Sequence, residues 1–173
     1  MCRFFRLSLV AGALFSLAVP AAAQTADPSD VESIDGIMAA VYDVISGPAG
    51  EARDWDRWRT LFAPEATLSQ VGCGPNACGR VVMTPESYIE RAGAMLEAQG
   101  FFETEINRVT EGYGMIAHAF STYESRRTLA DPEPFSRGIN SFQLMNDGNR
   151  WWVVSIYWQG EGPNNPIPAK YIG

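Results

Sequence analysis

Between Val31 and Ile45 the apolar residues Ile34, Ile37, Met38, Val41, Tyr42, Val44 and Ile45 recur at helical spacing, and Gly47-Pro48 closes the run. That pattern predicts a helix with one buried stripe. Asp54 then reads as the N-cap of a short helix that turns Trp55, Trp58, Leu61 and Phe62 inward before Pro64. Ala66 to Gln70 fits a short strand. Thr84-Pro85-Glu86 combines a capping hydroxyl, a proline at the first helical position and an acid in the first turn, so a third helix starts there. Its buried face is Ile89, Ala92, Met95 and Leu96, and Gly100 ends it.

After Gly100 the pattern becomes strand-like. Four runs follow, Phe101 to Val109, Met115 to Arg126, Gly138 to Asn146 and Arg150 to Gln159. Glu111 to Gly114, a loop holding Asp131-Pro132-Glu133-Pro134, and Asp147-Gly148 separate them. The last dipeptide predicts a two-residue type I′ hairpin, which needs positive φ at both central positions. Helices followed by a curved antiparallel sheet make an α+β cone with one internal pocket. With that turn, Leu144 faces Trp151, Phe142 faces Val153, Asn140 faces Ser155 and Gly138 faces Tyr157. His118, Phe120, Thr122 and Glu124 join this pocket face, although a slip of one residue would move all four to the other side. The opposite face carries Trp152, Val154, Ile156 and Trp158 and is also apolar. A second subunit is the simplest cover for it, which predicts a homodimer through the sheet.

Residues 1–23 change the picture of the compartment. Arg3 and Arg6, an apolar run from Leu7 to Val19 and Ala21-Ala22-Ala23 read as a secretory signal peptide, so the domain spans residues 31–160 with a tail over 161–173. Export, with a periplasmic destination, and no membrane attachment after cleavage are expected. About 150 residues remain, enough for one core. Two of the 13 basic side chains leave with the leader while all 20 acidic ones stay. So acidic a surface repels phosphate backbones, which excludes nucleic acid as a partner. Cys73 and Cys78 flank the turn-rich Gly74-Pro75-Asn76-Ala77, and in an oxidising compartment they read as a disulfide. Two thiols without neighbouring ligands make a poor metal site.

The only histidine, His118, is the foremost candidate for proton transfer on the predicted pocket face. The plain alternative is a wall histidine that is merely hydrogen-bonded. Glu103 and Glu105 alternate onto one face of the first long strand, where one could orient the imidazole or both could be solvated. Phe120, Phe142 and Trp151 would make apolar walls, Trp58 could reach the pocket mouth, Asn140 would orient a ligand, and Glu124 would meet a polar group at the rim. Neither a phosphate loop nor a nucleophile motif is present, and no cofactor is implied.

Asp54-Trp55, Leu61-Phe62-Ala63-Pro64 and Arg150-Trp151-Trp152-Val153-Val154 resemble the nuclear transport factor 2-like superfamily, and most of all its SnoaL-like bacterial members. The resemblance spans residues 31–160. Ala117 to Glu124 resembles a run in exported bacterial members. The superfamily includes isomerases, dehydratases, cyclases, an epoxide hydrolase and non-catalytic binders, so the fold does not choose an activity. It implies a pocket phenol at Tyr42 and a polar pocket group at Tyr157. The acid that isomerase-type and cyclase-type members carry on the last strand is absent, as is the Arg and paired Asp arrangement of the epoxide hydrolase. The sequence therefore predicts an exported protein that binds a small apolar or aromatic ligand, with cofactor-free isomerase, dehydratase or cyclase chemistry open to His118, Tyr42 and Tyr157. The alternative is a binding or assembly domain that works through its outer sheet face.

Overall fold

The computed structural model describes residues 25–74 and 76–172, so the leader assigned to residues 1–23 lies outside the described residues. A short turn of helix, α1 (Pro28–Val31), precedes α2 (Ile34–Ile45), which Ser33 caps by accepting from the Gly36 amide at 2.9 Å. Asp54 caps α3 (Trp55–Leu61) through the Arg57 amide, as its sequence position predicts. The third predicted helix is α4 (Pro85–Tyr88), a π-helical segment over Ile89–Gly93, and α5 (Ala94–Gln99). Thr84 and Ser87 form a reciprocal capping box at its start. Gly100 ends it with φ 71°, where a side chain would also meet the Arg127 carbonyl at 2.7 Å. No described helix is long and apolar enough to cross a membrane.

Six strands form one sheet, β1 (Phe62–Cys73), β2 (Cys78–Met83), β3 (Phe102–Tyr113), β4 (Ile116–Arg126), β5 (Ser136–Asn146) and β6 (Trp151–Gly160), in the order β2-β1-β6-β5-β4-β3. Only the β1·β6 pair is parallel. Strand β1 is longer than the predicted Ala66 to Gln70, and β2 is an element that the pattern did not reveal. The reason is exposure: β2 is an edge strand whose residues are solvent-facing except Met83, so it buries no alternating face. Cys73 and Cys78 sit opposite each other across β1·β2 and are joined by a disulfide.

The helices close one face of the sheet. Ile37 and Met38 of α2 and Trp58 and Leu61 of α3 are buried against Phe142 and Val153. Arg53 ties the narrow end together. Its buried guanidinium donates to the carbonyls of Ile45, Gly47, Glu51 and Leu96 at 3.1, 2.6, 2.7 and 3.2 Å, which places a cation at the C-terminal ends of α2 and α5.

Two features overturn the predicted register. Asn146 pairs with Trp151, so the β5·β6 turn has four residues instead of two. Gly148 has φ 97° but Asp147 does not have positive φ, and type I′ requires both. Instead the Asp147 carboxylate gathers the turn, accepting from the Asn149 and Arg150 amides at 2.8 and 3.0 Å and from the Trp152 indole at 2.8 Å. Further along, a bulge at Val154 sets Gln143 opposite Ser155 and Phe142 opposite Ile156. Beyond it Ile156 and Trp158 turn to the helix-covered face and Ser155 and Tyr157 to the outer one, the reverse of the prediction. On β4, Ala117 pairs with Leu144, Ser121 with Asn140 and Tyr123 with Gly138, so these β4 residues share the helix-covered face. His118, Phe120, Thr122 and Glu124 therefore point outward.

The tail crosses that outer face. Thr122 donates to the Tyr171 carbonyl at 2.6 Å, the Phe120 and Tyr171 rings lie 5.1 Å apart, and Ile167 is buried. A groove of about 290 Å³ remains between the tail and Phe120, Ile139, Ser141 and Tyr157.

Candidate functional site

A partly open cavity of about 240 Å³ lies between the helices and the inner face of the sheet. Its walls are largely apolar and rich in aromatics: Trp58 stacks on Tyr88 with centroids 5.1 Å apart, Phe142 packs against Tyr42, and Phe101, Phe135 and Trp158 join aliphatic side chains such as Ile45, Leu68 and Leu96 in the lining. Gly138 admits the Tyr123 ring, whose oxygen would lie 2.5 Å from any added Cβ.

One wall is polar, and its residues come from three elements. Tyr42 projects from the buried stripe of α2, Glu103 from the start of β3 and Asn140 from the middle of β5. Ser46 sets α2 against β3: its hydroxyl donates to the Tyr42 carbonyl at 2.7 Å and accepts from the Glu103 amide at 3.0 Å. Asn140 Nδ2 donates to the Tyr42 hydroxyl oxygen at 3.1 Å and to Glu103 Oε1 at 3.3 Å. Ser125 donates to Glu103 Oε2 at 3.0 Å. On the far side Ser121 donates to Glu105, so the contact of 2.7 Å between Ser121 and Tyr42 has the phenol as donor. A bulge between Glu105 and Asn107 keeps Glu103, Glu105 and Arg108 on the inner side. Arg108 pairs there with Asp35 of α2 and with Glu105.

Burial dominates the electrostatics. The Glu103 carboxyl lies deep in the protein while the residue keeps some accessible surface on the cavity, and desolvation pushes its pKa up to about 7 against the opposing donors Ser125 and Asn140. Burial, reinforced by the nearby Glu103 charge, also holds the phenols of Tyr42, Tyr88 and Tyr123 well above their ordinary range. Glu103 is thus a carboxyl placed to take or release a proton near neutrality, in a largely apolar pocket.

The residues singled out from sequence divide between the two faces. Tyr42, Asn140, Phe142 and Trp58 line the cavity. Trp151 packs beside the core without reaching the cavity. His118 stands outside, its Nε2 3.0 Å from Ser141 Oγ and its ring 5.9 Å from Phe120. Tyr157 is half exposed on that face, and Glu124 pairs with Arg126 at 2.8 Å there. His118, Tyr157, Phe120 and Glu124 therefore do not share a hollow with Tyr42, because the β4 register and the Val154 bulge turn them away. The backbone amides beside the His118–Ser141 pair are engaged in the ladder, since β4 and β5 are interior strands with both edges paired. The group that sequence reasoning undervalued is Glu103. Its alternation with Glu105 was the available signal, and it does not separate an inward face from a solvated one.

The geometry matches known folds. A protein of unknown function with a cystatin-like fold from Nostoc punctiforme superposes with a TM-score of 0.56 at 14% identity, over 78% of this chain and 92% of that one. An NTF2-like protein of unknown function from Shewanella baltica gives 0.52 at 14% identity, over 75% and 91%. The chain has the nuclear transport factor 2-like fold. A protein from Kribbella flavida superposes as well, with a TM-score of 0.52 at 13% identity over 75% and 88%. No protein-family model and no curated protein matches the sequence. At these identities the NTF2-like likeness describes architecture, and the activity has to be argued from the cavity.

Proposed function

We propose that this NTF2-like chain binds a small ring-bearing molecule inside the cone, with Glu103 fixing its polar end and serving as the proton-transfer group of any isomerisation, dehydration or cyclisation that occurs there. The observation that carries this reading is the Glu103 carboxyl, poised near neutral pH and held by Asn140 and Ser125 on the wall of a largely apolar cavity. Tyr42 is then a positioning residue, because its own hydrogen is directed to Ser121. Glu103 replaces His118 in the proton-transfer role suggested by sequence. Export through the N-terminal leader belongs to the same proposal and accords with the Cys73–Cys78 disulfide.

A panel of small aromatic probes tested by thermal shift and native mass spectrometry should yield binders. Their signal should vanish in Ala92→Trp, which puts an indole into the cavity from the helical side. A panel without binders, or binders indifferent to Ala92→Trp, would overturn the reading.

A homodimer is proposed as well, through the part of the outer face that the tail leaves open. Ile116 and Val154 are exposed there beside Met145 and Trp152.

A further inference from the structure

Glu103 is the one charged side chain on the cavity wall among the described residues. Its two hydrogen-bond donors, the Asn140 amide and the Ser125 hydroxyl, are neutral. The guanidiniums near this part of the fold make their ion pairs and hydrogen bonds elsewhere, although Arg108 leaves its buried Nη1 without a hydrogen-bond partner. Arg53 is spent on backbone carbonyls, Arg108 on Asp35 and Glu105, and Arg127 on the Phe135 ring and the Gly100 carbonyl. Buried carboxylates are ordinarily matched by a cation, and none of the described residues supplies one to Glu103.

Much of the rest of the wall is aromatic. Trp58, Tyr88, Phe101, Tyr123, Phe142 and Trp158 line the space beside aliphatic side chains such as Ile45, Leu68 and Leu96, and aromatic rings are groups that a cation can contact favourably. Three of the donors next to the carboxylate are already used. Ser121 gives its hydrogen to Glu105, so Tyr42 gives its own to Ser121, and both Nδ2 hydrogens of Asn140 go to Tyr42 and Glu103. The Tyr88 and Tyr123 hydroxyls remain as donors facing the carboxylate, but a cation meets Glu103 with attraction where an anion meets it with repulsion.

Resting on the reading of the cavity as a ligand site, we propose that its ligand is an organic cation, a protonated amine on an apolar ring-bearing body, with the Glu103 carboxylate as counter-ion and the aromatic walls as its cage. The groups that face Glu103 are Tyr42 from α2, Tyr88 from α4, Tyr123 and Ser125 from β4, and Asn140 from β5; Glu105, its neighbour along β3, is turned to Ser121. The three phenols stay protonated throughout the neutral range, so Glu103 alone changes charge in the cavity there. An amine binds the ionised form and keeps its own charge at these pH values. Its affinity should therefore rise about tenfold between pH 6 and pH 8, as the carboxyl with a pKa of about 7 ionises.

The test is calorimetric titration of the full chain with three probes of one shape: 2-phenylethylamine, 2-phenylethanol and 3-phenylpropanoate. At pH 8 the amine should bind at least about tenfold tighter than the alcohol, with the carboxylate weakest. Glu103→Gln should erase both that preference and the pH dependence. His118→Ala, altered on the opposite face of the sheet, should leave both in place. Integrity of the Glu103→Gln fold is checked by circular dichroism at pH 5, where Gln closely mimics the protonated acid. Equal binding of alcohol and amine, or an amine preference that survives Glu103→Gln, overturns the cation assignment and leaves the cavity reading standing. Failure of all three probes at millimolar concentration removes both.

Discussion

At the scale of single residues, Glu103 is the position where local chemistry and the fold are in conflict. Folding buries its carboxyl and raises its pKa from 4.5 to about 7, so the native state holds a proton that the unfolded chain has already released across that window. The unfolded state binds fewer protons there, and stability must fall as pH rises from about 4.5 to about 7. The slope is up to about 1.4 kcal/mol per pH unit from this one group. Glu103→Gln removes the term. Urea unfolding at pH 5 and pH 8 should show the variant gaining on the wild type by a few kcal/mol at the higher pH; a constant difference between the two proteins would mean that the carboxyl is not desolvated. Tyr42 and Asn140 were recognisable from sequence because each sits on a regular apolar stripe or alternation. Ser121, Ser125 and Tyr123 were not, since their value depends on which way one strand faces.

At the scale of elements, the helices were the most legible. Their boundaries are written in local chemistry: Asp54 and Thr84 cap, Gly100 stops, and each does so with its own backbone neighbours. Strand β2 left no such mark, because an exposed edge strand buries no face and depends on its partner. The Cys73–Cys78 bond pins the distal end of β1·β2. Reduction should therefore loosen β2 while the β3 to β6 ladder stays intact, at a cost of roughly 2 kcal/mol or less for so short a loop. Hydrogen exchange read by mass spectrometry should show faster exchange over 68–83 alone; faster exchange spreading through β5 and β6 would refute this. The hairpin after β5 illustrates a different failure. Asp147-Gly148 does mark a turn, but an aspartate side chain that caps two amides and an indole stabilises a longer one.

At the scale of the whole molecule, the sheet must be covered twice. Helices α2 to α5 cover the inner face, and the tail reaches Phe120 and Thr122 on the outer one. The tail thus provides part of the cover first assigned to a second subunit, which narrows the proposed dimer contact to the patch around Ile116 and Val154. Ile116→Glu places a charge in the middle of that patch. Sedimentation should show the wild-type chain as a dimer and the variant as a monomer, with the affinity of cavity probes unchanged. A monomeric wild type, or a variant that still dimerises, would reject this contact.

What the sequence determined by itself was the α+β class, the order of helices before sheet, the helix caps, the disulfide pair and an aromatic interior. All of these are encoded over a few residues or in gross patterning. Which strand face looks inward was decided only by tertiary structure. A strand alternates with period two, so a single bulge or a turn of different length exchanges the faces of everything beyond it. Both faces of this sheet are apolar enough that the pattern alone does not choose between them. Packing chose, and it put Glu103 in the cavity and His118 outside.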